Sequence, residues 1–232
     1  DIEKKITPKT KAIMVVHLYG QLCDMYSIMK IARAHNLRVI EDCAECCGGV
    51  YTSHREGGTI GDIGCFSFGD TKMLSTGEGG IVITHDEILA KRIRQFGHLG
   101  FKNVTATGAA VRKDPMIFQD PTYIRHDAFA HNYIMSEPTA AIALAQTERL
   151  EYFLSLRRKM GNLYQQAVSS CRWLVPQAIE GNPAYWTFAA AYHGNEERGV
   201  TWYKFRDRFI EYSGDKVRAA WALVYQEPAI RD

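Results

Sequence analysis

The sequence predicts an α/β fold built on a mostly parallel sheet flanked by helices. Three observations carry that expectation. Short β-branched runs alternate with helical periodicity through the first half of the chain. A complete strand–helix–strand unit fits within residues 12–42. Glycine-rich turns follow directly on the strand ends, where open α/β sheets form their ligand crevice.

The first element is "AIMVVH" (12–17), a short apolar run ending at "LYGQ". In "CDMYSIMKIARAHN" that follows, Met25, Ile28, Met29 and Ala32 fall at i, i+3, i+4 and i+7, one face of a helix. "LRVIED" (37–42) is the second buried strand, so the pair is expected to be parallel with a right-handed crossover. That topology places His17 and Asp42 at strand carboxyl ends, facing the crevice. "IGCFSF" (63–68) and "GGIVITH" (79–85) read as two further strands around the segment "GDTKMLSTGE". "DEILAKRIRQFG" (86–97) reads as a helix, with Asp86 and Glu87 at its positive N-terminal end.

From Gly97 to Ala130 periodicity fails and Pro115 and Pro121 interrupt the chain, which predicts a long loop of functional or partner-contacting character. Helix returns over 136–168, with Ser136 as N-cap and Pro138 in the first turn; Gly161 argues against one unbroken helix. Beyond Pro176 the aromatic, β-prone "AYWTFAAAYH" and the helical "TWYKFRDRFIEYSG" begin a smaller α+β unit. The expected division is therefore 1–150, the central and C-terminal part of a large domain, and 151–232, a connecting helix and an incomplete small domain.

With 28 Lys and Arg against 26 Asp and Glu, the net charge of +2 gives no electrostatic reason to expect nucleic acid or an anionic membrane as partner. No apolar run approaches membrane-spanning length, and "DIEKKITPKTKAI" is charged where a signal peptide needs an apolar stretch; a cytoplasmic protein is the expectation. "CAECC" (43–47) contains a C-x-x-C pair, but no second pair or histidine pair stands at zinc-site spacing. Free, buried cysteines without a metal are the expected state, with a metal or redox role as the weaker alternative.

The chemistry concentrates in "SFGDTKMLSTGEGG" (67–80). Lys72 lies in a glycine-rich loop after the strand carrying Ser67, and Asp42 ends a neighbouring strand. A lysine, an aspartate and a hydroxyl at one sheet edge are what pyridoxal phosphate requires: an amine for a Schiff base, a carboxylate for the pyridine nitrogen, a donor for the phosphate. On these residues alone a helix-capping or metal-binding Asp42, an ordinary strand Ser67 and a solvated turn lysine remain open.

The strings "HLYGQLCDM", "VIEDCAECCGG", "GDIGCFSFGDTKMLSTGEGGIVIT" and "HNYIMSEPTAAIALAQTERL" together resemble the DegT/DnrJ/EryC1/StrS family of sugar aminotransferases, with "HLYGQ" and "TGEGG" nearest the GDP-perosamine synthase-like branch. The resemblance implies a pyridoxal phosphate-dependent transferase of fold type I, a homodimer with a shared active site. It also implies amino transfer from L-glutamate to a nucleotide-linked keto-deoxy sugar such as GDP-4-keto-6-deoxymannose, by a ping-pong cycle through pyridoxamine phosphate.

Carried over by position, Lys72 matches the Schiff-base lysine, Asp42 the partner of the pyridine nitrogen and Ser67 a phosphate-binding serine. Glu45 falls beside the cofactor ring or its phenolic oxygen, and Asn132 matches an asparagine reaching the neighbouring subunit's phosphate. A related dehydratase branch carries histidine for the lysine, so Lys72 implies transamination.

Three departures stand against the pattern. The family's earlier segment, with its Gly-Thr phosphate turn and ring-stacking aromatic, has no counterpart; the small domain ends early; and Ile134 replaces the arginine of "NYRM". The alternative expectation is thus a truncated, inactive remnant that serves as a dimerisation or interaction module.

Overall fold

The computed structural model describes residues 1–108 and 115–231. The chain forms two compact units, one of Asp1–Tyr164 with Ala178–Phe188, the other of Gln165–Gln177 and the chain from Ala189 on.

In the first unit, strands β1 (Ala12–Val16), β2 (Arg38–Asp42), β3 (Ile63–Ser67) and β4 (Gly80–Ile83) form a sheet in that order. β1–β2 and β2–β3 are parallel, and β3–β4 is antiparallel. The first three strands follow the expected parallel pattern. The fourth turns back: the segment between Ser67 and Gly80 holds no helix to carry a parallel crossover, and these two residues pair directly.

Helix α1 (Met25–Ala34) connects β1 to β2, started by Asp24, whose carboxylate accepts the Ser27 N–H at 3.0 Å. Its predicted face is the buried one: Met25 and Ala32 are fully buried, and Ile28 and Met29 lie against the same core. That core gathers Val15, Val39, Cys43, Cys46, Tyr51, Met73 and Leu154 on one side of the sheet.

The period-2 pleat puts Met14, Val16, Ile40, Asp42, Cys65, Ser67 and Val82 on the opposite side. There Met14 is 65% and Val16 45% exposed. One face of the sheet is thus core; the other carries Asp42 and Ser67 and is exposed at Met14, Val16 and Val82.

Helix α2 (Glu87–Gly97) begins at Asp86, which accepts the N–H groups of Ile88 and Leu89. The expected 97–130 loop contains a short helix, α3 (Pro115–Gln119); residues 109–114 of that loop lie outside the described residues. Around it, 96–102 and 125–133 run side by side, through Leu99 N–H to His131 O at 2.8 Å, Tyr133 N–H to Gly97 O at 2.7 Å and Lys102 N–H to Arg125 O at 3.0 Å.

The predicted long helix is two, α4 (Glu137–Thr147) and α5 (Leu150–Val168), and the break falls at Glu148–Arg149. Gly161 does not break α5. It sits buried in mid-helix because a Cβ there would stand 2.7 Å from the Tyr185 ring.

In the second unit, β5 (Leu174–Pro176) pairs antiparallel with β6 (Ala190–Tyr192), followed by α6 (Gly194–Arg198), α7 (Trp202–Ser213) and α8 (Pro228–Arg231). Trp173, Tyr192 and Phe205 form its aromatic centre, with centroid separations of 5.1–5.8 Å. The helical spacing of Phe205 and Phe209 places their rings 6.1 Å apart.

Among the described residues no helix is long and apolar enough to cross a membrane.

Candidate active site

Asp42 ends β2, and its register partner on β3 is Cys65. Ser67 lies two residues further along β3, so Asp42 and Ser67 share the open face at the carboxyl ends of neighbouring strands. Asp42 Oδ1 accepts the Ala44 N–H at 3.0 Å, and among the described residues Oδ2 has no protein donor. Ser67 Oγ accepts the Gly69 N–H at 3.2 Å, which leaves its own proton free for an anion.

Lys72 follows within one turn of loop. Ser67 Oγ and Lys72 Cγ both lie within 4 Å of the point where a Cβ on Gly69 would stand, so hydroxyl, glycine and lysine stem border one small space.

The Lys72 amine has two neighbours. Its Nζ is 3.8 Å from Glu45 Oε1 and 5.0 Å from the centre of the Trp186 ring. Lys72 and Glu45 are 20% and 17% exposed, half-sheltered and still reachable by a ligand. Glu45 Oε2 is held by the Tyr19 N–H at 2.7 Å. The structure therefore brings Lys72, Glu45, Ser67 and Asp42 to one end of the sheet.

Asn132 stands apart. It is exposed and bridges His98, and among the described residues its Oδ1 meets only the Ile134 N–H at 3.5 Å and no hydrogen bond joins it to the other four.

His17 corrects the reading of strand ends. It is fully buried beneath the site, away from the crevice. Its Nδ1 accepts the Cys23 N–H at 3.1 Å, so the ring proton sits on Nε2 and is donated to Glu41 Oε2 at 2.9 Å. Glu41 also accepts the N–H groups of Gly58, Ile60 and Gly61 at 2.5–2.8 Å. Burial works against its charge, but His17 and these three donors outweigh it and hold the carboxyl below the ordinary glutamate range. The alternation of β2 puts this strut on the core side and Asp42 on the open side. Glu41 thereby ties the 58–61 turn and the 17–23 loop to the strand that carries Asp42.

His17, Glu41 and Cys43 present ligand atoms within 4.8 Å of one another. The lone pairs of His17 and Glu41 are spent as described, and burial pushes the Cys43 thiol far above the ordinary range. Burial likewise pushes Cys46 up to about 12 and Cys47 up to about 11. The six cysteines form no disulfide in this structure; Cys43 and Cys46 are buried and the other four half-buried.

The profile of the DegT/DnrJ/EryC1/StrS aminotransferase family matches residues 1–217. The chain belongs to this family. Its aminotransferases are pyridoxal phosphate enzymes acting on sugars, and the fold is fold type I of that cofactor class.

Among curated relatives of this DegT/DnrJ/EryC1/StrS chain, the GDP-perosamine synthase of Escherichia coli O157:H7 is 38% identical over 211 residues, 91% of this chain and 53% of the relative. That of Caulobacter vibrioides is 38% identical over 193 residues, 81% and 46% of the two lengths. The chain thus spans about half the length of the curated relatives it matches.

Among solved structures, Helicobacter pylori PseC, an aminotransferase of pseudoaminic acid biosynthesis, superposes with a TM-score of 0.81 at 22% identity, covering 99% of this chain and 57% of its own. The E. coli GDP-4-keto-6-deoxy-D-mannose-3-dehydratase with bound hydrated PLP superposes with a TM-score of 0.76 at 24% identity, over 92% and 54%.

Two members of the site escaped the sequence, Tyr19 and Trp186. Tyr19 acts through its main chain, which residue type does not reveal. Trp186 reaches the lysine loop across 115 positions, from Nε1–H to Thr71 O at 2.8 Å. Its one local signal was the aromatic run around residue 186, which read only as β-prone.

Proposed function

We propose that this chain carries the cofactor-binding half of a pyridoxal phosphate-dependent aminotransferase. In this reading it transfers the amino group of L-glutamate to a nucleotide-linked keto-deoxy sugar of the GDP-4-keto-6-deoxymannose class. The single observation that supports it best is the convergence of Lys72, with Glu45 and Trp186 on its amine, on the sheet end that carries Asp42 and Ser67.

The donor set fits the cofactor. Lys72 Nζ is a half-sheltered amine, Asp42 Oδ2 an unclaimed carboxylate oxygen, and Ser67 Oγ a free hydroxyl donor beside the small space at Gly69. Bound there, pyridoxal phosphate would supply an aldehyde carbon and a ring that accepts electrons. Lys72 would offer its Nζ amine as the group that holds the cofactor and as the base that moves a proton. Asp42 Oδ2 would take the proton of the ring nitrogen, Ser67 Oγ would donate to the phosphate, and Glu45 would keep the amine on station.

Asn132, with exposed Tyr133 and Ile134 beside it, is the part of this reading assigned to a second copy of the chain, whose phosphate it would reach in a homodimer. Ile134 offers no charge to that contact, so the cross-subunit hold on phosphate rests on the asparagine.

A second reading is favoured by the open sheet face at Met14 and Val16: a remnant that keeps a docking surface without turnover.

One experiment separates the two. The purified chain is mixed with pyridoxal phosphate, reduced with borohydride and mapped by peptide mass. Label confined to Lys72, and lost in Lys72→Arg, supports the aminotransferase; scattered or absent label supports the remnant. Assay with glutamate and nucleotide-linked keto sugars then tests the substrate class.

A further inference from the structure

The two groups that border the Lys72 amine are set by one junction. At 18–20 the chain makes a tight turn in which Tyr19 has φ 60° and Gly20 has φ 81°. Facing it, Tyr185 has φ 50°. Non-glycine residues hold such backbone only where their surroundings over-determine it.

Four contacts do so here. Ala184 N–H donates to Gly20 O at 3.0 Å, Thr187 N–H to Tyr19 O at 3.4 Å, and Arg157 Nη1 to Trp186 O at 2.8 Å, while the indole N–H holds Thr71 O. The approach is so close that a Cβ on Gly20 would stand 2.6 Å from Trp186 N and 2.7 Å from Tyr185 N. On one side of this junction the Tyr19 N–H aims Glu45 at Lys72; on the other, the Trp186 ring lies against the same amine.

We propose that Trp186 is a positioning residue for Lys72: clamped between Gly20, Arg157 and Thr71, its indole face seats the ammonium and keeps the side chain turned toward the sheet end bearing Asp42 and Ser67. The ring quadrupole attracts the cation, and the indole covers the lysine stem from water. The indole N–H has a separate duty, fixing the loop residue that precedes Lys72.

This inference rests on the aminotransferase reading for its purpose but not for its geometry, so its test has two readouts. The first is acetic anhydride labelling of Lys72 relative to exposed Lys30 on α1, which needs no cofactor. The second is the share of borohydride-fixed pyridoxal phosphate found on Lys72.

Trp186→Ala is expected to raise relative acylation of Lys72 and to lower its share of cofactor label, each by about fivefold, the scale of a sheltered cation–π contact. Trp186→Phe keeps an aromatic face and is expected to restore both to within about twofold of the parent, as the weaker ring and lost N–H allow. Parent-like values in Trp186→Ala would overturn the proposal. So would equal losses in both variants, since the indole N–H and not the ring face would then do the work. Should Trp186→Ala unfold, with every lysine acylated alike, Trp186→Phe decides: parent-like ratios support the ring, collapsed ratios overturn it. A shift in the acylation ratio with no cofactor label on Lys72 even in the parent chain would sink the aminotransferase reading and leave the clamp standing.

Discussion

Glu41 and Asp42 are adjacent carboxylates with opposite fates, decided by the pleat of one strand. Asp42 faces the open side, and among the described residues its Oδ2 has no protein donor. Glu41 faces the core, where His17 and three main-chain N–H groups consume it. Glu41→Gln loses the charge that strengthens these four hydrogen bonds and turns an amide NH2 toward main-chain donors, so it is expected to lower unfolding free energy by ~1–3 kcal/mol in urea titrations at neutral pH.

The pH dependence has a definite sign. A carboxyl held below its ordinary value in the folded state binds its proton more readily when unfolded. Its contribution is therefore complete above about pH 4.5 and is lost as pH falls through the depressed folded value. Urea midpoints of parent and Glu41→Gln should converge on acidification below that range; a gap that stays constant would show that Glu41 is not the group responsible. Sequence alone put Asp42 at a strand end, and β2 does end there. It placed His17 in the crevice by the same rule and failed, because the rule does not say which face a terminal side chain takes.

At the scale of elements, what sequence revealed is what local periodicity and capping specify. The sheet strands, α1 and its buried face, the acidic start of α2, the Ser136 cap and α7 all follow from spacing within a few residues. What stayed hidden is set by contacts far apart in the chain. The α4–α5 break has neither glycine nor proline to mark it. The role of Gly161 depends on a ring twenty-four positions away.

Gly161→Ala makes this testable. Intrinsic helix propensity favours alanine by about 1 kcal/mol, but overpacking against Tyr185 costs roughly 1–3 kcal/mol. A lower thermal midpoint is expected, and a higher one would show that the Tyr185 ring moves aside freely. Because Tyr185 precedes Trp186, the same variant should also raise acylation of Lys72.

For the whole molecule, the open sheet face is the dominant feature. Met14 and Val16 lie exposed on edge strand β1, and Val82, 45% exposed, lies on the same face of the opposite edge strand β4. Edge strands with exposed apolar side chains are sites of association. The double substitution Met14→Gln, Val16→Thr is expected to change stability by less than about 0.5 kcal/mol and to reduce self-association in sedimentation. A marked loss of stability would show that other polypeptide covers this face in solution.

Ser67 and Gly80 face each other across β3 and β4, so both ends of the lysine loop are riveted to one ladder, continued by Phe68 N–H to Gly79 O at 2.8 Å and Thr76 N–H to Phe68 O at 2.9 Å. The loop cannot fray on its own while that ladder holds. In hydrogen-exchange terms, the amides of Phe68 and Thr76 should trade their protons only when the ladder opens, as one cooperative unit. On heating, Lys72 then loses its register in a single step that coincides with the parting of β3 from β4. The capacity to fix a cofactor should vanish abruptly at that temperature, with no gradual decline before it.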